Sequence, residues 1–222
     1  MIQVVPAIIP RNKEQIEEEI KLFASFSNLI QIDIADGVFT RSKSWPYNGV
    51  DVDYFTMLKN EELGLPKWED VDFEFHLMIQ NPEEVLLDYI EIGASSVVAH
   101  VESTKDFQKI IDTCKQYGVG VGVAIKPSTD ISAIESFVSQ VDFIQCMGSD
   151  QLGRHNSELE EKAVEQIKKL REGYPESIIG IDIGVNLDTK ETLIEAGANK
   201  LISGSAILDA DKPREVFEEL SQ

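Results

Sequence analysis

Short β-branched runs alternate with amphipathic helical stretches along almost the whole chain, and this alternation narrows the possible folds more than any other feature. Val4–Ile9 reads as a strand, Lys13–Phe26 as a helix with Ile16, Ile20 and Phe23 on one face, and Leu29–Ile34 as a second strand. Further strands are expected at Phe73–Ile79, Ser96–Val101, Val119–Ile125, Val141–Met147, Ile178–Asp182 and Lys200–Ser203. The spacing places helices at Asp51–Asn60, from Asn81-Pro82-Glu83 onward, and over Thr104–Tyr117, Asp130–Val138, Ser157–Glu172, Asp188–Ala196 and Pro213–Leu220. Strands that are apolar nearly throughout belong to a parallel sheet covered on both faces. Tyr89–Val98 echoes Leu193–Ile202, each a helix end, a glycine and a strand start. Eight strand–helix units in 222 residues predict an α/β fold, a single (β/α)8 TIM-barrel domain over 1–222. A doubly wound open sheet is the alternative, but the chain has no Gly-x-Gly-x-x-Gly fingerprint.

Three of these strands carry a polar group where an apolar one would be expected: Asp33, His76 and Asp182. Strand alternation puts Gln31 and Asp33 on one face, opposite Ile30, Ile32 and Ile34. Glu74, His76 and Met78 share a face by the same parity, as do Gly180 and Asp182. In a closed barrel the second and seventh strands lie on roughly opposite sides, so two carboxylates would face each other across one mouth. A carboxylate is costly to bury unless paired or metal-bound, so the three groups point to a site. Two opposed carboxylates suit a proton transfer in which one removes a proton beside a carbonyl and the other returns one to the opposite face. A divalent metal held by carboxylate and imidazole would stabilise the charge that develops.

Net charge is −20, from 40 acidic and 20 basic residues. Such a surface repels nucleic acid and anionic membrane, and neither is expected as a partner. A phosphorylated small molecule would have to rely on local backbone N–H groups. No apolar run reaches 18 residues, and Met1–Pro6 lacks the features of a signal peptide. Cys114 and Cys146 read as buried free thiols, so a cytoplasmic location is expected. The irregular stretch Asp36–Asp72 is either a lid or a packed loop, with Trp45 and Trp68 as packing residues.

Several segments, in order, resemble the ribulose-phosphate 3-epimerase family. Pro6-Ala7-Ile8-Ile9 resembles its Pro-Ser-Ile-Leu, and Gln31-Ile32-Asp33-Ile34-Ala35-Asp36-Gly37 its His-Ile-Asp-Val-Met-Asp-Gly. His76-Leu77-Met78-Ile79-Gln80-Asn81-Pro82 is similar to its His-Leu-Met-Ile-x-Asn-Pro, and His100-Val101-Glu102 to its His-Val-Glu. Asp182-Ile183-Gly184-Val185-Asn186 and Gly204-Ser205-Ala206-Ile207 resemble its Asp-Gly-Gly-Val-Asn and Gly-Ser-Ala-Ile. The resemblance implies a barrel of the ribulose-phosphate-binding type, an isomerase that interconverts ribulose 5-phosphate and xylulose 5-phosphate, and possession of a divalent cation (Zn, Mn, Fe, Co or Mg). It implies Asp33 and Asp182 as the acid–base pair and, with His76, as metal ligands, Gln31 standing at the position of a fourth ligand. It places Met78, Met147, Gly148 and Gly153 against the substrate, and the phosphate near Gly184, Gly204 and Ser205. A homo-oligomer is a further expectation of the resemblance.

The chain departs from that pattern in places. Gln31 stands where the family has a ligating His, Pro10 where it has a Ser, Ala35 where it has a Met, and Ile183 where it has a Gly. The family's Gly-rich loop becomes Asp150–Asn156, whose Arg154 and His155 offer charge to a phosphate or line a solvated loop. An amide oxygen suits harder cations better than zinc. Two other readings stay open from the residues: a barrel that binds a phosphosugar without catalysis, and a related phosphosugar lyase or decarboxylase.

Overall fold

The computed structural model describes residues 2–153 and 158–222, and among them eight parallel strands close into a barrel in chain order. The strands are β1 Gln3–Ile8, β2 Leu29–Ala35, β3 Asp72–Met78, β4 Ala94–His100, β5 Gly120–Ile125, β6 Phe143–Met147, β7 Ile178–Asp182 and β8 Lys200–Ser203. Pairing of β1 with β8 closes the ring, with Val4 opposite Leu201 and Pro6 opposite Ser203. The helices are α1 Lys13–Phe23, α2 Val52–Lys59, α3 Leu86–Glu91, α4 Phe107–Tyr117, α5 Glu161–Gly173, α6 Lys190–Ala196, α7 Ser205–Leu208 and α8 Pro213–Leu220. This is the TIM barrel the alternation predicts.

Local chemistry sets the element ends. Asn12 caps α1 by accepting from the Gln15 N–H, and Asp106 caps α4 by accepting from the Lys109 N–H. Gly93 and Gly197, the paired glycines of the internal echo, both sit in the left-handed region, at φ 101° and 113°. One helix expectation fails. Asp130–Val138 forms only a 3₁₀ turn, Ile131–Ala133, capped by the Asp130 side chain on the Ser132 N–H. Ser132, Ser136 and Ser139 offer the backbone competing partners, and Ile134 is the one apolar residue of the stretch that is fully buried. A stripe that short does not hold a helix. Helix α5 starts at Glu161, and Ser157 lies outside the described residues.

Alternation sorts each strand as the parity argument requires. Ile30, Ile32 and Ile34 pack outward into one continuous core with Ile16, Ile20 and Phe23 of α1. The inward face is filled by smaller clusters, Val5 with Ala7 and Ile202, and Val98 with Ala124 and Phe143. The long segment after β2 is a packed structure where it matters most. Trp45 is fully buried, with its ring 5.3 Å from Phe55 and 5.7 Å from Tyr54. Trp68 is 64% exposed and lies over Gly64, so it packs within the loop and not in the core.

The lower interior holds a buried ion pair. Lys200 Nζ donates to both carboxylate oxygens of Glu74, at 2.7 and 2.6 Å, and the Ser96 hydroxyl donates to Oε2 at 2.9 Å. The ammonium also sits 3.5 Å from the Phe143 ring centroid. Burial holds the Lys200 pKa below its usual range, with Glu74 pulling the other way. Removing one partner of such a pair strands the other charge in apolar surroundings. Lys200→Met should therefore lower stability by about 3–5 kcal/mol in urea unfolding, and adding Glu74→Leu should restore most of the loss. A single variant as stable as the parent would sink this account.

Candidate active site

The upper interior gathers the three polar groups singled out from sequence. Asp33 is directly paired with His76 across β2 and β3, and Asp182 ends β7. One ligand atom from each of Asp33, His76 and Asp182 can be chosen so that all three lie within 4.8 Å of one another. His76 Nδ1 is 3.0 Å from Asp33 Oδ1 and 3.5 Å from Asp182 Oδ2, with the imidazole fully buried. Burial alone would pull the His76 pKa down, but the hydrogen bonds and charges of Asp182 and Asp33 outweigh it and raise it to about 9. The Asp33 carboxyl is pushed up, first by burial and then by the charge of Asp182, with His76 acting in the opposite sense.

The surrounding backbone holds these groups in place. Ser44, fully buried in the long segment after β2, accepts the Ala35 N–H at 2.9 Å and donates to the Asp33 carbonyl at 3.1 Å. Asp36 accepts the N–H groups of Val38 and Phe39 through one oxygen and that of Gln80 through the other, joining the loops after β2 and β3.

Gln31 lies beneath Asp33 and donates its amide to Asp33 Oδ1 at 2.9 Å. Its Oε1 is buried and has no hydrogen-bond partner among the described residues. Gln145 on β6 shares that condition: it is fully buried, its Oε1 is unpartnered, and its amide nitrogen is 3.5 Å from His76 Nδ1. Sequence reasoning overlooked Gln145, though its parity with Met147 on β6 placed it inward. Two buried carboxylates and an imidazole nitrogen fit a divalent cation, and the carboxylate oxygens suit a hard one. Asp33, His76 and Asp182 are the residues that would hold it.

A cavity of about 800 Å³ opens above this centre. Asp33, Asp182, Met78 and Met147 line its floor, and Gly153, Gly184, Gly204 and Ser205 are part of its wall. Gly184 adopts φ 76°, and a Cβ there would come within 2.9 Å of the Leu159 backbone nitrogen. Gly148 was expected at the substrate but stands behind the wall, donating its N–H to the Asp182 carbonyl at 2.6 Å. A Cβ at Gly148 would lie 2.0 Å from the Ile183 carbonyl oxygen, so close backbone packing explains this glycine. Ile183 itself holds φ 79°, unusual for a β-branched residue, and packs with Met78, Met147, Leu152 and Phe39. The cavity's bulk is thus apolar around the carboxylate pair. Arg154 and His155 lie outside the described residues.

Fold and site together define a TIM barrel with a carboxylate–imidazole–carboxylate centre at one mouth. The model of the "Ribulose-phosphate 3 epimerase family" matches residues 3–208, and the chain belongs to that family, a family of isomerases. It is 26% identical over 216 residues to the ribulose-phosphate 3-epimerase of Schizosaccharomyces pombe, covering 97% of this chain and 90% of that one. The chloroplastic ribulose-5-phosphate-3-epimerase of Arabidopsis thaliana is 30% identical over 216 residues, covering 94% and 72%. Among solved structures, 3-hexulose-6-phosphate synthase from Salmonella typhimurium shares the fold, with a TM-score of 0.71 at 16% identity, covering 100% and 97%. No helix among the described residues is long and apolar enough to cross a membrane.

The raised His76 pKa has a measurable consequence in metal-free protein. Because it lies at about 9, above the ordinary 6.5, stability from the charged ring is complete below pH 6.5 and lost as pH rises through 9. Thermal unfolding in chelator should therefore show Tm falling over that window. His76→Gln should flatten the slope, and an unchanged slope would assign it to another group.

Proposed function

We propose that this chain interconverts ribulose 5-phosphate and xylulose 5-phosphate by proton exchange at carbon 3, within one barrel domain that carries one site. The observation that supports this most directly is the pair of buried carboxylates from β2 and β7 brought to one imidazole at the floor of a cavity. The ketose lies with carbon 3 between Asp33 and Asp182. One carboxylate removes the proton from one face, and the other delivers a proton to the opposite face, inverting the centre. When bound by Asp33, His76 and Asp182, a divalent cation polarises the carbonyl and offsets the negative charge on its oxygen. Burial of Asp33 raises its proton affinity, the direction a general base needs.

The apolar surfaces of Met78, Met147 and Ile183 exclude water from the carbanion-like centre. The phosphate faces the Gly184 and Gly204-Ser205 wall, beyond the ends of β7 and β8. The cavity lining holds carboxylates and no Lys or Arg among the described residues, so backbone N–H groups carry the phosphate. The carboxylates retained beside His76 favour this reading over a binding-only barrel, because proton transfer gives two opposed acid–base groups a task. Buried free thiols at Cys114 and Cys146 are in keeping with a reducing compartment such as the cytoplasm.

Metal-loaded protein incubated with ribulose 5-phosphate in D₂O should lose the carbon 3 proton signal and yield xylulose 5-phosphate. Loss of neither over a range of divalent metals would overturn the proposal. Asp182→Asn should lower turnover by roughly a hundredfold or more while changing ligand affinity little. Equal losses of binding and turnover would assign Asp182 to holding the metal alone. Gln31→His should tighten divalent metal affinity in calorimetry if position 31 reaches the cation. Unchanged affinity would remove it from the ligand set.

A further inference from the structure

Behind His76 lies a second imidazole that the proton transfer does not use. His76 Nε2 and His100 Nε2 face each other at 3.0 Å, with the rings stacked at 27° and 5.1 Å apart. His100 Nδ1 is 3.1 Å from Glu102 Oε2, and the other oxygen of Glu102 accepts the Lys126 N–H at 2.8 Å. Both imidazoles are fully buried, and the Phe39 ring packs on His100 at 4.9 Å. The line of polar atoms therefore runs from the Lys126 backbone through Glu102, His100 and His76 to the two carboxylates.

Hydrogen-bond direction along this line is fixed from its outer end. A carboxylate only accepts, so His100 Nδ1 carries the hydrogen. A neutral imidazole has one N–H, so His100 Nε2 presents a lone pair. The hydrogen between the two Nε2 atoms must then come from His76. That leaves the His76 Nδ1 lone pair aimed between Asp33 and Asp182. A lone pair facing two carboxylates is stable only with a cation among the three. We infer that Glu102 and His100 are positioning residues, which act through His76 by locking it in the Nε2–H tautomer and so making Nδ1 a metal donor. The inference rests on the metal reading of the site proposed above.

The isosteric substitution makes the idea testable. In Glu102→Gln the amide oxygen stays on the Lys126 N–H, and the NH₂ group turns toward His100 Nδ1. That donor demands a lone pair there, which moves the His100 hydrogen to Nε2 and the His76 hydrogen to Nδ1. The chain reverses and the metal donor is blocked. Glu102→Ala removes the acceptor without imposing a donor. If Glu102 served only packing, the near-isosteric Gln would be the milder change.

The experiment is calorimetric titration of the full chain and both variants with Mn²⁺ and with Zn²⁺, joined to ring ¹⁵N NMR of the Zn²⁺-loaded proteins. With three histidines in the chain, the ring signals can be assigned. Expected are Nε2–H for His76 and Nδ1–H for His100 in the parent, an affinity loss of about ten- to a hundredfold in Glu102→Gln, and a smaller loss in Glu102→Ala. A parent that binds metal while Glu102→Gln keeps both its affinity and its tautomers overturns the inference alone, as does a greater loss in Ala than in Gln. A parent that takes up neither ion overturns the metal reading, and the inference falls with it.

Discussion

The site is organised around an unfavourable placement that positive charge between two carboxylates relieves. Asp33 and Asp182 are brought together inside the barrel, where two unpaired carboxylates could not both remain charged at acceptable cost. His76 stands between them, and its raised pKa shows the solution available to the protein alone: it carries a proton there. A divalent metal bound as proposed would replace that proton with two charges where one was held. Much of the upper barrel serves this placement. Ser44 fixes the Asp33 backbone, Gly148 lets β6 approach the end of β7, and the stacked pair of imidazoles orients the central ring.

The lower barrel answers the same problem differently. Glu74 and Lys200 are as deeply buried as the upper groups, yet they neutralise each other in one close contact, with Ser96 and the Phe143 ring filling the remaining valences. This pair leaves no call for an added ion. Inward positions of the same strands, β3 above all, thus supply a self-satisfied charge at one level and an unsatisfied one at the next. That contrast is what marks the upper level as chemical and the lower as structural.

Strand parity made most of this legible in the sequence. The alternation of Gln31 and Asp33 with isoleucines, and of Glu74, His76 and Met78 with Phe73, Phe75 and Leu77, placed each group on its correct face. The closed ring then follows from the count of units, because opposite strands of a barrel must bring their upper ends to one mouth. What parity could not supply was lateral distance. Gln145 looks like one polar residue in an apolar strand, and only the closed barrel brings its amide to His76. His100 and Glu102 read as a local pair, and the stacking that joins them to His76 depends on the register of β3 against β4. The false helix at Asp130–Val138 came from a different source, local periodicity without enough buried surface to sustain it.

The charge of the molecule bears on how it meets its ligand. A chain of net charge −20 repels an anionic sugar phosphate at long range, and the cavity adds Glu158 and Asp209 to its catalytic carboxylates. Such a site does not gain substrate by electrostatic steering. On the proposed reading it gains selectivity from short-range features: backbone N–H groups along the Gly184 and Gly204-Ser205 wall, and a cation that only a properly placed oxygen can meet. On that reading the cation would have two tasks, to stabilise the charge of the reaction and to offset the carboxylates enough for a dianion to enter. On this view the tautomer of His76, set from Glu102 through His100, governs binding of substrate as well as the chemistry, although neither residue touches the cavity.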